Sequence, residues 1–344
     1  MRRFTFLLAL GLAFISLSCD PVKPEPEPEP EPGPAVLAKG ADVSWVTQME
    51  KDGRKFYNSA GQQTECMALL KSLGMNSIRL RVWVDPEGGW CGREDVVAKA
   101  KRANALGMRV MIDFHYSDSW ADPGKQNKPA AWKDLGFEAL RQAVADHTTD
   151  ILTALKSAGV TPEWIQIGNE TTGGMLWLDG QNYNDAGFSR YVQLHNAGYD
   201  AAKKVFPGAK VMVHVDNGWN WGTLNWFFSS FVNLQAKFDL IGLSLYPEKD
   251  NWQSLVSQTF QNIETLYGSY GRETILCEVG MDWQEAATCR SFLSELLGRS
   301  KADGSHCTGV LYWEPEGYHA WSGYSKAAFD NSGKPTAALD AFKD

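Results

Sequence analysis

The sequence has no run of basic residues. Thirty-three Lys and Arg stand against 41 Asp and Glu, a formal net charge of −8. That balance argues against a nucleic-acid or anionic-membrane partner. No glycine-rich dinucleotide or phosphate loop follows an early strand pattern, which argues against a nucleotide-binding open sheet. CxxC pairs, Cys/His zinc spacings, HExxH and the facial triad are likewise absent, so no metal or other cofactor is expected. What is plentiful is aromatic: 14 Trp, and 12% Phe, Trp and Tyr in a chain that is 44% hydrophobic. The 344 residues suffice for one large domain or two ordinary ones. Most of these rings simply pack, and the surplus offers flat apolar faces for ligands, sugar rings included.

The amino terminus reads as a targeting segment. MRRFTFLLALGLAFISLSC has a charged start, an apolar stretch from Phe4 to Leu17 and small residues before Cys19. Residues 1–19 are therefore expected to be a signal peptide, too short and wrongly flanked for a stable membrane span. Cys19 is the expected lipidation site, with ordinary cleavage nearby as the alternative, since Ser16-Leu17-Ser18 matches a lipobox loosely. Residues 20–35 alternate Pro and Glu, a composition that builds no core and favours polyproline II, roughly 3 Å per residue and about 45 Å in all. Such a stalk points to an exported protein, on this reading an outer-membrane lipoprotein facing outward, or else secreted or periplasmic. Membrane contact is expected through the lipid alone, and the body is expected to be a monomer.

Five cysteines follow Cys19: Cys66, Cys91, Cys277, Cys289 and Cys307. In an oxidising compartment an odd number leaves at least one thiol free. Cys66 with Cys91 is the disulfide expected.

From residue 36 to 344 short apolar runs alternate with longer amphipathic ones. The runs are AKGADVS (38–44), NSIRLRVWV (76–84), MRVMIDFH (108–115), EWIQIGNE (163–170), AKVMVHVDN (209–217), FDLIGLSLY (238–246), ETILCEVG (273–280) and TGVLYWEP (308–315). Helical patterns such as REDVVAKAKRANALG lie between them, with Gly107, Gly159 and Gly208 where helices hand over to strands. Eight strands alternating with helices in roughly 300 residues is the count of a single (β/α)₈ barrel, whose active site lies at the carboxyl ends of its strands. Those ends carry Asp42 and Trp45; Arg79, Arg81 and Trp83; His115, Tyr116 and Asp118; Asn169 and Glu170; His214, Asp216 and Asn217; Tyr246; Glu278; Trp313 and Glu314. Singly each has a structural reading as a cap, an ion-pair partner or a core histidine. Together they cost several kcal/mol to bury unless they serve one another or a ligand.

Glu170 ends the fourth run and Glu278 the seventh, so a barrel sets them across one cleft. Glycosidic hydrolysis needs such a pair: one protonated carboxyl for the leaving oxygen, one ionised carboxylate to attack carbon or activate water. Arg81 is expected beside Glu278, although Arg79 shares its strand parity, and Tyr246 is expected to donate to Glu278. Desolvation and the charge of Glu278 would keep Glu170 protonated.

The strings VWVDPEGGWC, IDFHYSDSWADPGKQNKPAAW, IQIGNETTGGMLW, HVDNGWNWG, SLYP, CEVG and LYWEP resemble glycoside hydrolase family 53, the endo-β-1,4-galactanases of the retaining (β/α)₈ clan. The resemblance runs from about Lys39 to Pro315. It implies Glu170 as acid/base, Glu278 as nucleophile, Asn169 on the 2-hydroxyl of the −1 sugar, and Arg81, His115 and Tyr246 around the nucleophile. Trp313 would floor that sugar, with Trp83, Trp120 and Trp177 as further platforms; Asp42, Asp118, His214 and Asp216 complete the supporting set. The implied substrate is β-1,4-galactan, including pectin side chains. Some bacterial members bind calcium after the nucleophile strand; here MDWQEAATCRSF passes almost directly into a helix, and no calcium is expected. Two alternatives stay open on the residues alone: hydrolysis of another β-1,4-glycan such as mannan or a glucan, and a surface glycan-binding lipoprotein that does not cleave.

Overall fold

Each of the eight runs becomes one strand of a closed parallel barrel in the computed structural model, which describes Met1 and residues 36–343. The expected signal peptide, Cys19 and the Pro/Glu linker lie outside the described residues. The strands are β1 (Ala38–Asp42), β2 (Ser77–Val82), β3 (Arg109–Phe114), β4 (Trp164–Ile167), β5 (Lys210–Val215), β6 (Leu240–Leu245), β7 (Thr274–Val279) and β8 (Cys307–Trp313). Every residue of β2, β4, β6 and β7 is buried, the mark of strands covered on both faces. β1 pairs with both β2 and β8, and this closure leaves the sheet no edge.

Helices α1 (Val46–Lys51) and α2 (Cys66–Ser72) share the first crossover. Then α3 (Arg93–Ala105), α4 (Phe137–Ser157), α5 (Asp185–Val205), α6 (Trp221–Asn233), α7 (Trp252–Tyr270) and α8 (Ala286–Lys301) serve one crossover each. Gly107 and Gly159 adopt the left-handed φ expected after a helix, 67° and 74°, whereas α5 ends at Val205 with Phe206 as its cap, before Pro207 and Gly208. The position after β8 departs from simple alternation. It holds a four-residue helix, His319–Ser322, and a 3₁₀ segment, Ala337–Lys343, which packs on α8 and buries Leu339 and Phe342. Between β7 and α8 there is only the 3₁₀ turn Trp283–Glu285.

One apolar layer lies between barrel and helices. A separate cluster inside the barrel includes Met111, Trp164, Met212, Leu240, Ile275 and Leu311, and the polar strand ends stand above this plug. Strand parity carries most of them inward, but not Glu278. In β7, Ile275 and Cys277 face the interior, so strict alternation would send Glu278 out. A bulge intervenes: Leu276 pairs with Leu243 of β6, yet the next pair is Glu278 with Ser244. Cys277 is the extra residue, and the bulge returns Glu278 to the barrel axis, the re-aiming such irregularities provide. Gly242 makes room beside it, because a Cβ there would lie 2.8 Å from the Met212 sulfur and 3.0 Å from Cys277 Sγ.

The expected Cys66–Cys91 disulfide is not formed: all five body cysteines are buried free thiols. Cys91 Sγ instead approaches Ser44 O (3.7 Å) and Lys99 Nζ (3.9 Å), while Cys66 opens α2 in the core. Burial pushes both thiols up, which disfavours the thiolate needed for exchange. Denatured, unreduced protein should accordingly titrate five thiols besides any at Cys19. Dithiothreitol should leave Tm unchanged to within about 1 °C, whereas losing a native disulfide costs about 2–5 kcal/mol; a fall of several degrees would count against free thiols.

Candidate active site

Alternate residues of β2 point into the barrel, and the deeper one organises the site. Arg79 is fully buried. Its Nη1 lies 2.9 Å from Asp42 Oδ2 and 2.9 Å from Glu278 Oε1; its Nη2 lies 2.9 Å from Asp113 Oδ2. The same guanidinium donates to Gln166 Oε1 from Nε (3.1 Å) and to Asn169 Oδ1 from Nη2 (2.9 Å). One cation therefore serves three carboxylates, which the fork of an Arg permits and a Lys point charge would not.

This corrects the expectation for Arg81. Two residues further along β2, it sits nearer the rim, where its Nη1 meets Glu314 Oε1 at 2.8 Å. Its guanidinium lies over the Trp120 ring at 4.3 Å and the Trp83 ring at 4.9 Å. Arg81 fastens the aromatic rim to the end of β8, and Arg79 is the cation beside Glu278.

Glu278 accepts from Tyr246 Oη at 2.9 Å, as expected. Burial pushes its carboxyl up, to about 7, against the pull of Arg79 and with Asp113 and Asp42 adding to the rise. Asp113 is desolvated too, yet Arg79 and His115 hold it below the usual carboxylate range. His115 Nε2 donates to Asp113 Oδ2 (2.9 Å), leaving Nδ1 to accept from Trp83 Nε1 and the Ala121 backbone N–H, both at 3.3 Å. Burial, with the two arginines adding and Asp113 opposing, moves this imidazole below its ordinary value and so favours its neutral form.

Among the described residues no cation forms an ion pair with Glu170, and Arg79 acts on it only as a minor, more distant charge. Glu170 stands just beyond β4 with φ 45°, a left-handed conformation costing a non-glycine residue about 1–2 kcal/mol. Its backbone N–H donates to His214 Nδ1 (3.2 Å), which places the ring proton on Nε2. His214 Nε2 then donates to Ser244 Oγ (2.8 Å), and Ser244 Oγ donates to Glu170 Oε1 (2.7 Å). Burial, then the charge of Glu278, raise Glu170 well above the ordinary value, with Ser244 opposing them. Of the two glutamates, Glu170 is the one whose surroundings favour the protonated form more strongly.

His115, Trp120, Asn169, Glu170, Tyr246, Glu278 and Trp313 line one cavity of about 340 Å³, joined by Ala121, Asp122, Tyr324 and Lys326. The other expected residues stand outside its lining. Asp42 is buried beneath, accepting from Ser44 N and Oγ besides Arg79. Trp83 packs edge-on to Trp120, ring centroids 5.2 Å apart. Asp118 ties two loops by accepting from the Asp85 and Ala130 backbone N–H groups. His214 acts behind Glu170, and Asp216 binds the Thr172 hydroxyl and the Asn217 amide. Trp177 donates from Nε1 to Gly173 O (2.9 Å), on the loop after Glu170.

Asp113, Gln166, Ser244 and Tyr324 were not singled out from sequence. The first three lie on inward positions of their strands, so parity was the signal. Tyr324 follows β8 in an irregular segment and packs on Trp313 at 4.9 Å, with no periodic signal. Arg79 shared the parity of Arg81, and only depth separates them.

Chemically, the pair offers a proton on the Glu170 side and negative charge on the Glu278 side, between aromatic walls. The family model described as glycosyl hydrolase family 53 matches residues 38–342. The chain belongs to glycosyl hydrolase family 53. This family 53 enzyme is 31% identical over 334 residues to an arabinogalactan endo-β-1,4-galactanase of Thermothelomyces thermophilus, covering 90% of this chain and 99% of the relative. A structure from a study of two fungal β-1,4-galactanases superposes with a TM-score of 0.81 at 29% identity, covering 90% of this chain and 99% of that one. The family 53 catalytic domain of Ignisphaera aggregans gives 0.78 at 29% identity, with 91% and 97% covered. The family resemblance and the barrel expected from the motifs are both borne out.

Arg79→Leu should destabilise the enzyme by about 3–5 kcal/mol, the cost of stranding buried charges, read by urea denaturation followed by circular dichroism. A loss below about 1 kcal/mol, the scale of an exposed pair, would show that Arg79 is not the hub.

Proposed function

We propose that this family 53 enzyme is a retaining endo-β-1,4-galactanase that cuts galactan, including the side chains of pectin, by double displacement. The observation that carries the reading is the unequal company of the two glutamates. Glu278 has Arg79 at 2.9 Å and a Tyr246 hydroxyl to favour its ionised form, whereas among the described residues the Glu170 carboxyl accepts from the neutral Ser244 hydroxyl and forms no ion pair. Glu170 gives its proton to the glycosidic oxygen as a Glu278 oxygen bonds to the anomeric carbon and the leaving sugar departs. Glu170, now a carboxylate, takes a proton from water; the hydroxide oxygen bonds to the anomeric carbon and Glu278 is released. Trp313 and Trp120 supply apolar faces for the sugar, and Asn169 is poised for its 2-hydroxyl. Asn169 is held for that task by Arg79 on its Oδ1 and by its own Nδ2 donating to Ala121 O at 2.9 Å. The choice of galactan rests on the names of relatives such as the fungal galactanase above. We extend the proposal to a monomer carried on a lipid at Cys19 and displayed at the cell surface, which protease access on intact cells would test.

Glu278→Ala should lower turnover at least about a thousandfold with the circular dichroism spectrum intact; near wild-type rates would remove it from the nucleophile role. A crystal structure should place the two carboxyl groups roughly 5–5.5 Å apart, and a gap near 9 Å would mean inversion. Reducing sugar released from a panel of galactan, mannan and glucans decides the substrate, and release from none of them favours a binding protein.

The pH profile of kcat/KM should be bell-shaped, reporting the pair. Its acidic limb belongs to Glu278, which must be ionised, and lies above the ordinary carboxylate range. Its alkaline limb belongs to Glu170, which must be protonated. Ser244→Ala removes a donor to the Glu170 carboxylate and should move the alkaline limb to higher pH; Tyr246→Phe should move the acidic limb up. Limbs that stay in place in both variants would refute the assignment.

A further inference from the structure

The flank between α5 and α6 is built unlike an ordinary water-facing helix surface. α6 carries no charged residue along Trp221–Asn233. Its inner face buries Leu224, Phe227, Phe228 and Phe231, yet Trp221 and Trp226 on the other side are 38% and 43% exposed. A surface helix normally puts charges there.

A groove of about 290 Å³ runs between Trp226, Ser230 and Asn233 of α6 and the segment Asn182–Asn184 that leads into α5. Tyr183 stands 66% exposed on its wall. Asn182 donates from Nδ2 to Thr172 O (2.9 Å), while its buried Oδ1 has no partner among the described residues. Asp185 is the one charged residue in the lining. The groove shares no lining residue with the catalytic cavity, but a line of contacts leads from one towards the other. The Tyr183 ring lies 6.2 Å from the Trp177 ring, and Trp177 is bonded to Gly173 O, three residues beyond Glu170.

We infer that this groove is a second contact for the neutral polysaccharide taken by the catalytic cleft, reached by chain passing over the Glu170 side of the barrel mouth. The inference rests on the proposed glycan-hydrolase reading. Exposed indole and phenol faces suit the C–H faces of a sugar, and amides and a hydroxyl suit its OH groups. The near absence of charge matches an uncharged polymer.

The test uses the whole protein with Tyr183→Ala, Trp226→Ala and both together. Trp226 packs on Phe188 and Phe227, whereas Tyr183 is largely exposed, so Tyr183→Ala keeps the test independent of folding. In a Glu278→Ala background, affinity electrophoresis in gels holding soluble β-1,4-galactan should show affinity for the polymer weakened roughly three- to tenfold, the loss of one or two aromatic contacts. In the active background kcat/KM should fall similarly on the polymer and stay within about twofold on a galactotetraose. Unchanged polymer affinity, or equal losses on polymer and tetrasaccharide, overturns the inference; so does a sedimentation shift showing that the patch joins two copies. If the parent enzyme cleaves a different polysaccharide, the galactan reading fails, and the same variants assayed on that polymer still decide the groove.

Discussion

A single buried guanidinium holds this active site in place. Arg79 touches Asp42 on β1, Asp113 on β3 and Glu278 on β7, and donates to Gln166 and Asn169 at β4. It thus links four strands besides its own at one height in the barrel. Burying such a set is costly unless every member is paired, so side chains from distant parts of the chain have one arrangement open to them. The excess of carboxylates over cations has a second effect. Burial raises the Glu278 carboxyl first of all, and because one positive charge cannot satisfy three negative ones, Asp113 and Asp42 add to the rise against the pull of Arg79. The charge that remains there in turn helps Glu170 keep its proton.

Two backbone irregularities set the directions of the two glutamates. The bulge at Cys277 turns Glu278 inward, and the left-handed φ of Glu170 turns that residue back toward the His214–Ser244 chain. A regular β7 would turn Glu278 away from the barrel axis. The rest of the barrel supplies the rigidity that maintains both, through closed strand pairing and the apolar plug below.

Much of this was legible in the chain. The eight strands fall inside or within a residue of the runs that announced them, because a strand covered on both faces is mostly apolar. Glu170, Glu278 and Tyr246 could be named because they end such runs. The assignment of Arg81 to Glu278 failed for a physical reason: parity says which way a side chain points, not how deep it lies, and two inward arginines on β2 differ only in depth. The Cys66–Cys91 pairing failed because composition counts thiols without saying whether two of them meet. Tyr324 was invisible because irregular segments have no period to read.

By itself, then, the sequence determined the strand and helix order, the barrel, its family, and the types of residue that reach its mouth, since these follow from local apolar pattern and short motifs. Tertiary structure decided which cation serves which carboxylate, which face Glu278 takes, and how Ser244 joins His214 to Glu170. Those outcomes depend on register, depth and a one-residue bulge, and they exist only after distant strands have paired.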